Sequence, residues 1–218
     1  MKDVQAILFD MDGVLVNSEP VITEASILGL KEFGVQARWE DFHAFTGMGE
    51  DRFIGGVAEL HGVPYRVEMK RRVYEIYLDI VKDKIEVYPG TLPTLTRLQG
   101  AGLRCALASA ADLIKVRANL AAAGIAESLF AALVSGDDVP NKKPAPDVYL
   151  LAAQRCGVEP AHCVVVEDAL SGIAAARAAG MRCVAVETSF PRERLLQAGA
   201  DAVCKDISGV WEALEGLR

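Results

Sequence analysis

Two acids set two residues apart, Asp10 and Asp12 in the segment LFDMDGVL, are the first residues in the chain whose types and spacing suggest chemistry. They follow Ile7-Leu8-Phe9, an apolar run that reads as a buried strand. Carboxylates at the end of such a strand are costly unless they are paired or bind a cation. Asp10 therefore reads as an oxygen ligand for Mg²⁺, a hard cation that prefers oxygen. A carboxylate there can also act as a nucleophile and form an acyl phosphate. Asp12 would then serve as general acid and base. Gly13 permits a sharp turn away from the strand. The competing reading is a strand end closed by an Asx turn.

A second acidic pair, Glu167-Asp168, follows Val164-Val165-Val166 and repeats the argument. What must position these residues can be read from the rest of the chain. Its 218 residues suffice for one large domain, or one domain with a small insertion. A composition that is 51% hydrophobic and 24% charged is that of a globular enzyme. A net charge of −7 argues against nucleic acid as a partner, because its binders carry a basic face. It does not argue against an anionic substrate, since a bound cation and one lysine invert the sign locally.

Cys105, Cys163 and Cys183 lie in apolar strand-like runs and read as small buried hydrophobes. An odd count of five cysteines, with no CxxC pair, fits a reducing, cytoplasmic compartment. Met1-Lys2-Asp3 leads straight into the first strand, so no signal peptide is expected. No apolar run approaches the ~20 residues of a membrane span.

Residues 4–10 read as a buried strand. Ser18-Glu19-Pro20 reads as a helix start, with Ser18 as N-cap, and Gly34 ends that helix. Residues 39–45 and 50–61 read as two more helices. Val73, Ile76, Tyr77, Ile80 and Val81 mark the buried face of another. Residues 18–85 are thus expected to be all helix, an inserted cap, leaving 1–17 and 86–218 as the main domain. There, strands 103–108, 132–135, 163–166 and 182–186 alternate with helices 112–123, one starting near 146, and 170–179. Each strand is a continuous apolar run, which marks a parallel sheet covered on both faces: a doubly wound, Rossmann-like α/β core. Ligands of such sheets bind beyond the carboxyl ends of the strands. Asp10, Ser109, Lys143, Glu167 and Asp168 all fall there. Trp39 and Trp211 read as packing residues, and the three His as surface or capping residues.

Four separated motifs, LFDMDGVL, Ser109 in CALASAAD, Lys143 in NKKPAPDVY and Glu167-Asp168 in VVVEDALSG, resemble the haloacid dehalogenase (HAD) superfamily of phosphotransferases over essentially the whole chain. The resemblance implies that Asp10 attacks phosphorus and that Asp12 protonates the leaving group and then activates water. It implies that Ser109 and the Ala110 N–H bind the phosphoryl group and that Lys143 neutralises charge. Mg²⁺ would be held by Asp10, the Asp12 carbonyl, Asp168 and Glu167, the last directly or through water. The presence of Asp12 favours phosphoryl transfer over dehalogenation.

A small helical cap after the first motif resembles the β-phosphoglucomutase and phosphoglycolate phosphatase subgroup. The mutase pattern has a cap His, a Lys and an Arg at positions that are Ile22, Thr46 and Glu50 here. These departures point to water as acceptor. The expected activity is that of a Mg²⁺-dependent, monomeric phosphatase acting on a sugar phosphate or a phosphoglycolate-like metabolite. Gly47 and Arg52 are the cap-side candidates for substrate contact. The stretch FTGMGEDRFIGGVAEL is also similar to the HAD domain of the plant suppressor-of-quenching proteins, which keeps a regulatory or binding role open.

Overall fold

The computed structural model describes residues 3–46 and 48–217. Its first strand, β1 (Ala6–Phe9), is buried along its whole length, and its alternate side chains enter different cores. Such a strand must be covered on both faces, which explains why its sequence is continuously apolar.

The chain continues through a short strand β2 (Val16–Asn17), helices α1 (Glu19–Lys31), α2 (Glu50–Leu60) and α3 (Val67–Lys84), and a short strand β3 (Glu86–Val87). From there strands and helices alternate: α4 (Thr91–Gly100), β4 (Arg104–Ala108), α5 (Leu113–Ala122), β5 (Ala132–Val134), α6 (Asp147–Cys156), β6 (Cys163–Glu167), α7 (Leu170–Ala178), β7 (Arg182–Val186), α8 (Arg192–Ala198), β8 (Ala202–Cys204) and α9 (Val210–Gly216).

Six strands form one parallel sheet in the order β5-β4-β1-β6-β7-β8. Ile7 and Phe9 pack with Val116 and Leu120 of α5 and Leu214 of α9 on one face. Leu8 packs with Tyr149 of α6 and Ile173 of α7 on the other. The doubly wound α/β core is therefore present. Phe9 stands opposite Leu107 on one side and Val166 on the other. That register brings the carboxyl ends of β1, β4 and β6 to one level, where the four motifs meet.

The helices between β2 and β3 have their own core. Ile22 and Leu30 of α1, Ile54 and Val57 of α2, and Val73 and Tyr77 of α3 are buried together. Burying each such side chain contributes ~1.5–3 kcal/mol. A Cβ at Gly29 would lie 2.8 Å from Val73, so glycine is what lets α1 and α3 cross closely. The layer rests on the main body through Ala118 and Ala122 of α5.

Three details depart from the sequence reading. The helical stretch is bracketed by β2 and β3, which pair antiparallel over Val16–Val87 and Asn17–Glu86. Two-residue strands are too short to carry a periodic signal. Residues 39–45 coil as a 3₁₀ helix, and Trp39 is 43% exposed instead of packed. Trp211 does pack against the core, under the Arg97 guanidinium at 4.1 Å. Cys105, Cys163 and Cys183 are buried free thiols, as is Cys156. No helix among the described residues is long and apolar enough to cross a membrane.

Candidate active site

Asp10 is the first residue past β1, and its N–H still donates to the Val166 carbonyl at 3.0 Å, so the sheet fixes its backbone. Glu167 ends β6 and Asp168 follows it; all three acids are buried. Their carboxylates converge, with one oxygen from each within 4.8 Å of the others. Lys143 reaches into the group from the loop before α6. Its Nζ donates to Asp10 Oδ1 at 2.5 Å and to Glu167 Oε1 at 2.7 Å. Lys142, its neighbour in sequence, turns instead toward Asp112 at 3.4 Å.

The three acids differ in how they are held. Glu167 also accepts from the Tyr149 hydroxyl at 2.7 Å and from the N–H groups of Asp168 and Ala169 at 2.9 Å. Burial pushes its carboxyl up, but Lys143 and these donors outweigh it and hold Glu167 below the usual carboxylate range. Asp10 keeps only Lys143, and burial lifts it to about 7. Asp168 has the Ser189 hydroxyl as donor, and burial with the charges of Glu167 and Asp10 raises it well above the ordinary value.

Three buried carboxylates around one ammonium lack positive charge. An all-oxygen donor set with that deficit fits a hard divalent cation such as Mg²⁺. The neighbouring glycines are there for room. Gly13 has φ of 80°, and a side chain there would overlap the Asp168 carboxylate; one at Gly172 would overlap Glu167.

The Asp12 carboxylate is absent from this cluster, which leaves its backbone carbonyl as the part suited to the expected metal contact. The Asp12 side chain belongs to a second centre. Its Oδ1 accepts from Lys115 Nζ at 3.1 Å, from Asn119 Nδ2 at 3.3 Å and from the Ser18 hydroxyl. Lys115 and Asn119 sit one turn apart on the same face of α5. Asn119 in turn accepts from the buried Tyr77 hydroxyl of α3. Lys115 also meets Glu50 Oε1 at 3.3 Å. Burial opposes its charge, but Asp12 and Glu50 raise Lys115 above its ordinary value. Burial likewise raises Glu50, against the pull of Lys115.

Ser18 occupies the N-cap position of α1 but makes no capping hydrogen bond, because its hydroxyl is used on Asp12. The sequence reading missed Lys115 and Asn119, and took Glu50 only as a departure from the mutase pattern. Their only signal is a polar pair, Lys115 and Asn119, at helical spacing beside the apolar pair Val116 and Leu120.

Ser109 continues β4. Its N–H donates to Val134 at 3.0 Å, and its Oγ accepts from the Ala111 N–H at 3.1 Å. Ser109 and Ala110 line the same cleft as both centres, a space of about 240 Å³. The helical layer closes the other side with Ile22, Thr46 and Glu50. Arg52 is not brought into the cleft. It is exposed, pairs with Glu59 at 3.3 Å and lies over the Phe45 ring. It sits two residues past Glu50 on α2, and so turns away from the wall that Glu50 faces. Gly47 lies outside the described residues. His61 pairs with Asp41 and His162 bonds the Asp3 carbonyl, as expected of surface and capping residues. Thr188 and Ser189, also missed, follow β7 and donate to the Gly13 carbonyl and to Asp168.

The profile of the haloacid dehalogenase-like hydrolases matches residues 4–180. The chain belongs to that family. A HAD-like relative, the chloroplastic protein SUPPRESSOR OF QUENCHING 1 of Arabidopsis thaliana, is 46% identical over 211 residues, 95% of this chain. The chain spans only 20% of that relative's length. The phosphorylated carbohydrates phosphatase of Thermotoga maritima is 32% identical over 214 residues, covering 93% of this chain and 94% of that one. Among solved HAD-like structures, a CbbY variant from Rhodobacter sphaeroides in complex with xylulose-(1,5)bisphosphate has a TM-score of 0.85 at 29% identity, covering 98% and 99% of the two chains.

Proposed function

We propose that this chain hydrolyses the phosphate monoester of a small phosphorylated carbohydrate through an aspartyl-phosphate on Asp10. The observation that carries the reading is the division of the cleft. Asp10 is held by Lys143 at 2.5 Å among strand-end carboxylates, while Asp12, two residues on, is held apart by Lys115 at 3.1 Å. One acid is thereby free to attack while the other handles the proton.

In the first step an Asp10 oxygen bonds to phosphorus and the ester oxygen leaves with a proton from Asp12. In the second, Asp12 takes a proton from water, the water oxygen bonds to phosphorus, and the bond to Asp10 breaks. The sum is ester plus water giving alcohol plus phosphate. Lys143 stabilises negative charge on Asp10 and the phosphoryl oxygens. Ser109 and the Ala110 N–H hold those oxygens, and Ser18, Lys115 and Asn119 orient Asp12. Asp10, Asp168 and Glu167, with the Asp12 carbonyl, would hold Mg²⁺, which supplies further neutralisation of phosphoryl charge. Residues 18–85 act as a cap that excludes water from the cleft.

Names of relatives support the substrate class, since a carbohydrate phosphatase aligns over nearly the full chain. Ile22, Thr46 and Glu50 line the cleft where the mutase pattern has charged or basic residues, which supports water as acceptor. The test is phosphate release from phosphorylated sugars, with and without Mg²⁺, using Asp10→Asn as control. Metal-dependent release that is lost in the variant is expected; release surviving in the variant would sink the assignment. A second reading, a regulatory phosphate-binding module with little turnover, draws support from the 46% identity to one fifth of a larger plant protein. Absence of turnover with retained phosphate binding would favour it.

A further inference from the structure

Tyr149, in the first turn of α6, is fully buried. It does not line the cleft, yet it touches two residues that do. Its hydroxyl donates to Glu167 Oε1 at 2.7 Å. Its ring faces Lys143, whose Nζ lies 4.8 Å from the ring centre. That Nζ donates to the same Oε1, also at 2.7 Å. One side chain outside the cleft thus holds both members of a buried ion pair inside it.

The acceptor sites of Glu167 are all taken. A carboxylate offers about four, two on each oxygen. Oε1 receives Lys143 and the Tyr149 hydroxyl, and Oε2 receives the N–H groups of Asp168 and Ala169. The Glu167 carboxylate is therefore fixed in rotation as well as in place. Lys143 is held from three directions, by Asp10, by Glu167 and by the π face of the ring, which attracts a cation. The ring itself is locked among Leu8 of β1 and Ile173 of α7. The Tyr149 N–H donates to Pro146 at 3.0 Å, so the turn that opens α6 grows out of the loop that carries Lys143. Phenylalanine would fill this space and present the same ring face. The hydroxyl is needed only for Glu167.

We propose that Tyr149 is a positioning residue with two separable parts: its hydroxyl sets Glu167 for a divalent cation, and its ring sets Lys143 against Asp10. It acts through these residues and touches no reacting atom. The part played by the ring rests on the phosphatase reading above. The part played by the hydroxyl requires only that the acid cluster binds the cation.

The experiment uses the full chain with Tyr149→Phe, which removes the hydroxyl alone, and Tyr149→Met, which removes the ring and refills part of its volume. Mg²⁺ binding is measured by calorimetry without substrate. Tm is recorded, and kcat and KM for p-nitrophenyl phosphate are taken at saturating Mg²⁺. Loss of a hydrogen-bond partner of a metal ligand weakens binding by about tenfold or more, which is the expected change in the Mg²⁺ Kd of both variants. At saturating Mg²⁺, Tyr149→Phe should keep the wild-type kcat. Tyr149→Met should lose about tenfold in kcat with KM little changed, because only it loses the π face. A merely structural Tyr149 would lower Tm with the volume removed and move neither Kd nor the ratio of kcat to KM. An unchanged Mg²⁺ Kd in Tyr149→Phe overturns the role of the hydroxyl, and equal kcat in the two variants overturns that of the ring. Tyr149→Phe keeps the packing, so its Mg²⁺ Kd alone can overturn the proposal if Tyr149→Met is too unstable to assay. A wild type that binds Mg²⁺ but turns over no phosphate ester overturns the phosphatase reading and the ring's role with it. In that case a weakened Mg²⁺ Kd in Tyr149→Phe still upholds the hydroxyl's role.

Discussion

Lys143 and Lys115 line one cleft, both are buried, and each is paired with two carboxylates. Their surroundings differ. Around Lys143 a third acid, Asp168, adds negative charge, and the acids stand on the ends of adjacent strands. Around Lys115 the additional groups are neutral donors, Ser18 and Asn119, contributed by helices. With every acid ionised, the first centre is two positive charges short and the second only one. Rigid strand ends suit the centre that must hold charge in fixed geometry. Helix positions tolerate exchange more readily than a buried parallel sheet, which suits the centre that the proposed reaction turns toward the leaving group.

The largest expected effect breaks the first centre alone. Asp10→Asn should lower phosphate release by about 10⁴-fold or more while leaving the circular dichroism spectrum intact. Next, Lys143→Met and Lys115→Met should separate the two centres. Removing one partner of a buried ion pair leaves uncompensated charge and destabilises by about 3–5 kcal/mol, readable as a lowered Tm. Mg²⁺ should restore much of that loss in Lys143→Met, because a dication can stand in for the missing ammonium. It should restore little beyond the wild-type response in Lys115→Met. Equal rescue of both would erase the distinction. A smaller effect is the Mg²⁺ response itself. At a hundredfold excess over Kd, binding stabilises by about 2.7 kcal/mol. The wild-type Tm should rise accordingly, and that of Asp168→Asn should rise much less. The smallest change is expected from Arg52→Ala, whose exposed pairing with Glu59 lies outside both centres. Its kcat/KM should stay within about twofold of wild type, since exposed ion pairs contribute little.

The same contrast explains how much was legible before the structure. Asp10, Glu167 and Asp168 stood out because a carboxylate directly after three or four apolar residues has few structural uses. The strands themselves were legible for the related reason that a doubly covered strand is apolar throughout. Applied to β7 the same rule selects Glu187, which pairs with Arg192, whereas the site contacts come from the hydroxyls of Thr188 and Ser189 just beyond it. Lys115 could not be found by that rule, and Glu50 entered only as a departure from the mutase pattern. A charged residue on an amphipathic helix is ordinary, and only tertiary packing turns these two inward. Ser18 carried a misleading signal. Ser-Glu-Pro has the composition of a helix start, and the helix does start there, yet the hydroxyl is drawn off by Asp12. Arg52 was chosen for its charge, but its place on α2 turns it to solvent, over Phe45. Trp39 shows that aromaticity alone does not decide burial.

The ribbon of β2 and β3 has a consequence for how such a chain can be rebuilt. The main chain leaves the ribbon at Asn17 and returns to it at Glu86, and these two residues are paired partners. The exit and the re-entry therefore lie one strand spacing apart, a gap that a two-residue hairpin turn spans. Everything between them is topologically a long loop, removable or exchangeable without altering the order of any strand in the sheet. A graft at this junction would carry away Glu50 and Tyr77 and leave Asp10, Asp12, Lys115 and Lys143 behind. On the proposed reading, such a chimera would take its phosphoryl-transfer residues from the host and its leaving-group contacts from the donor.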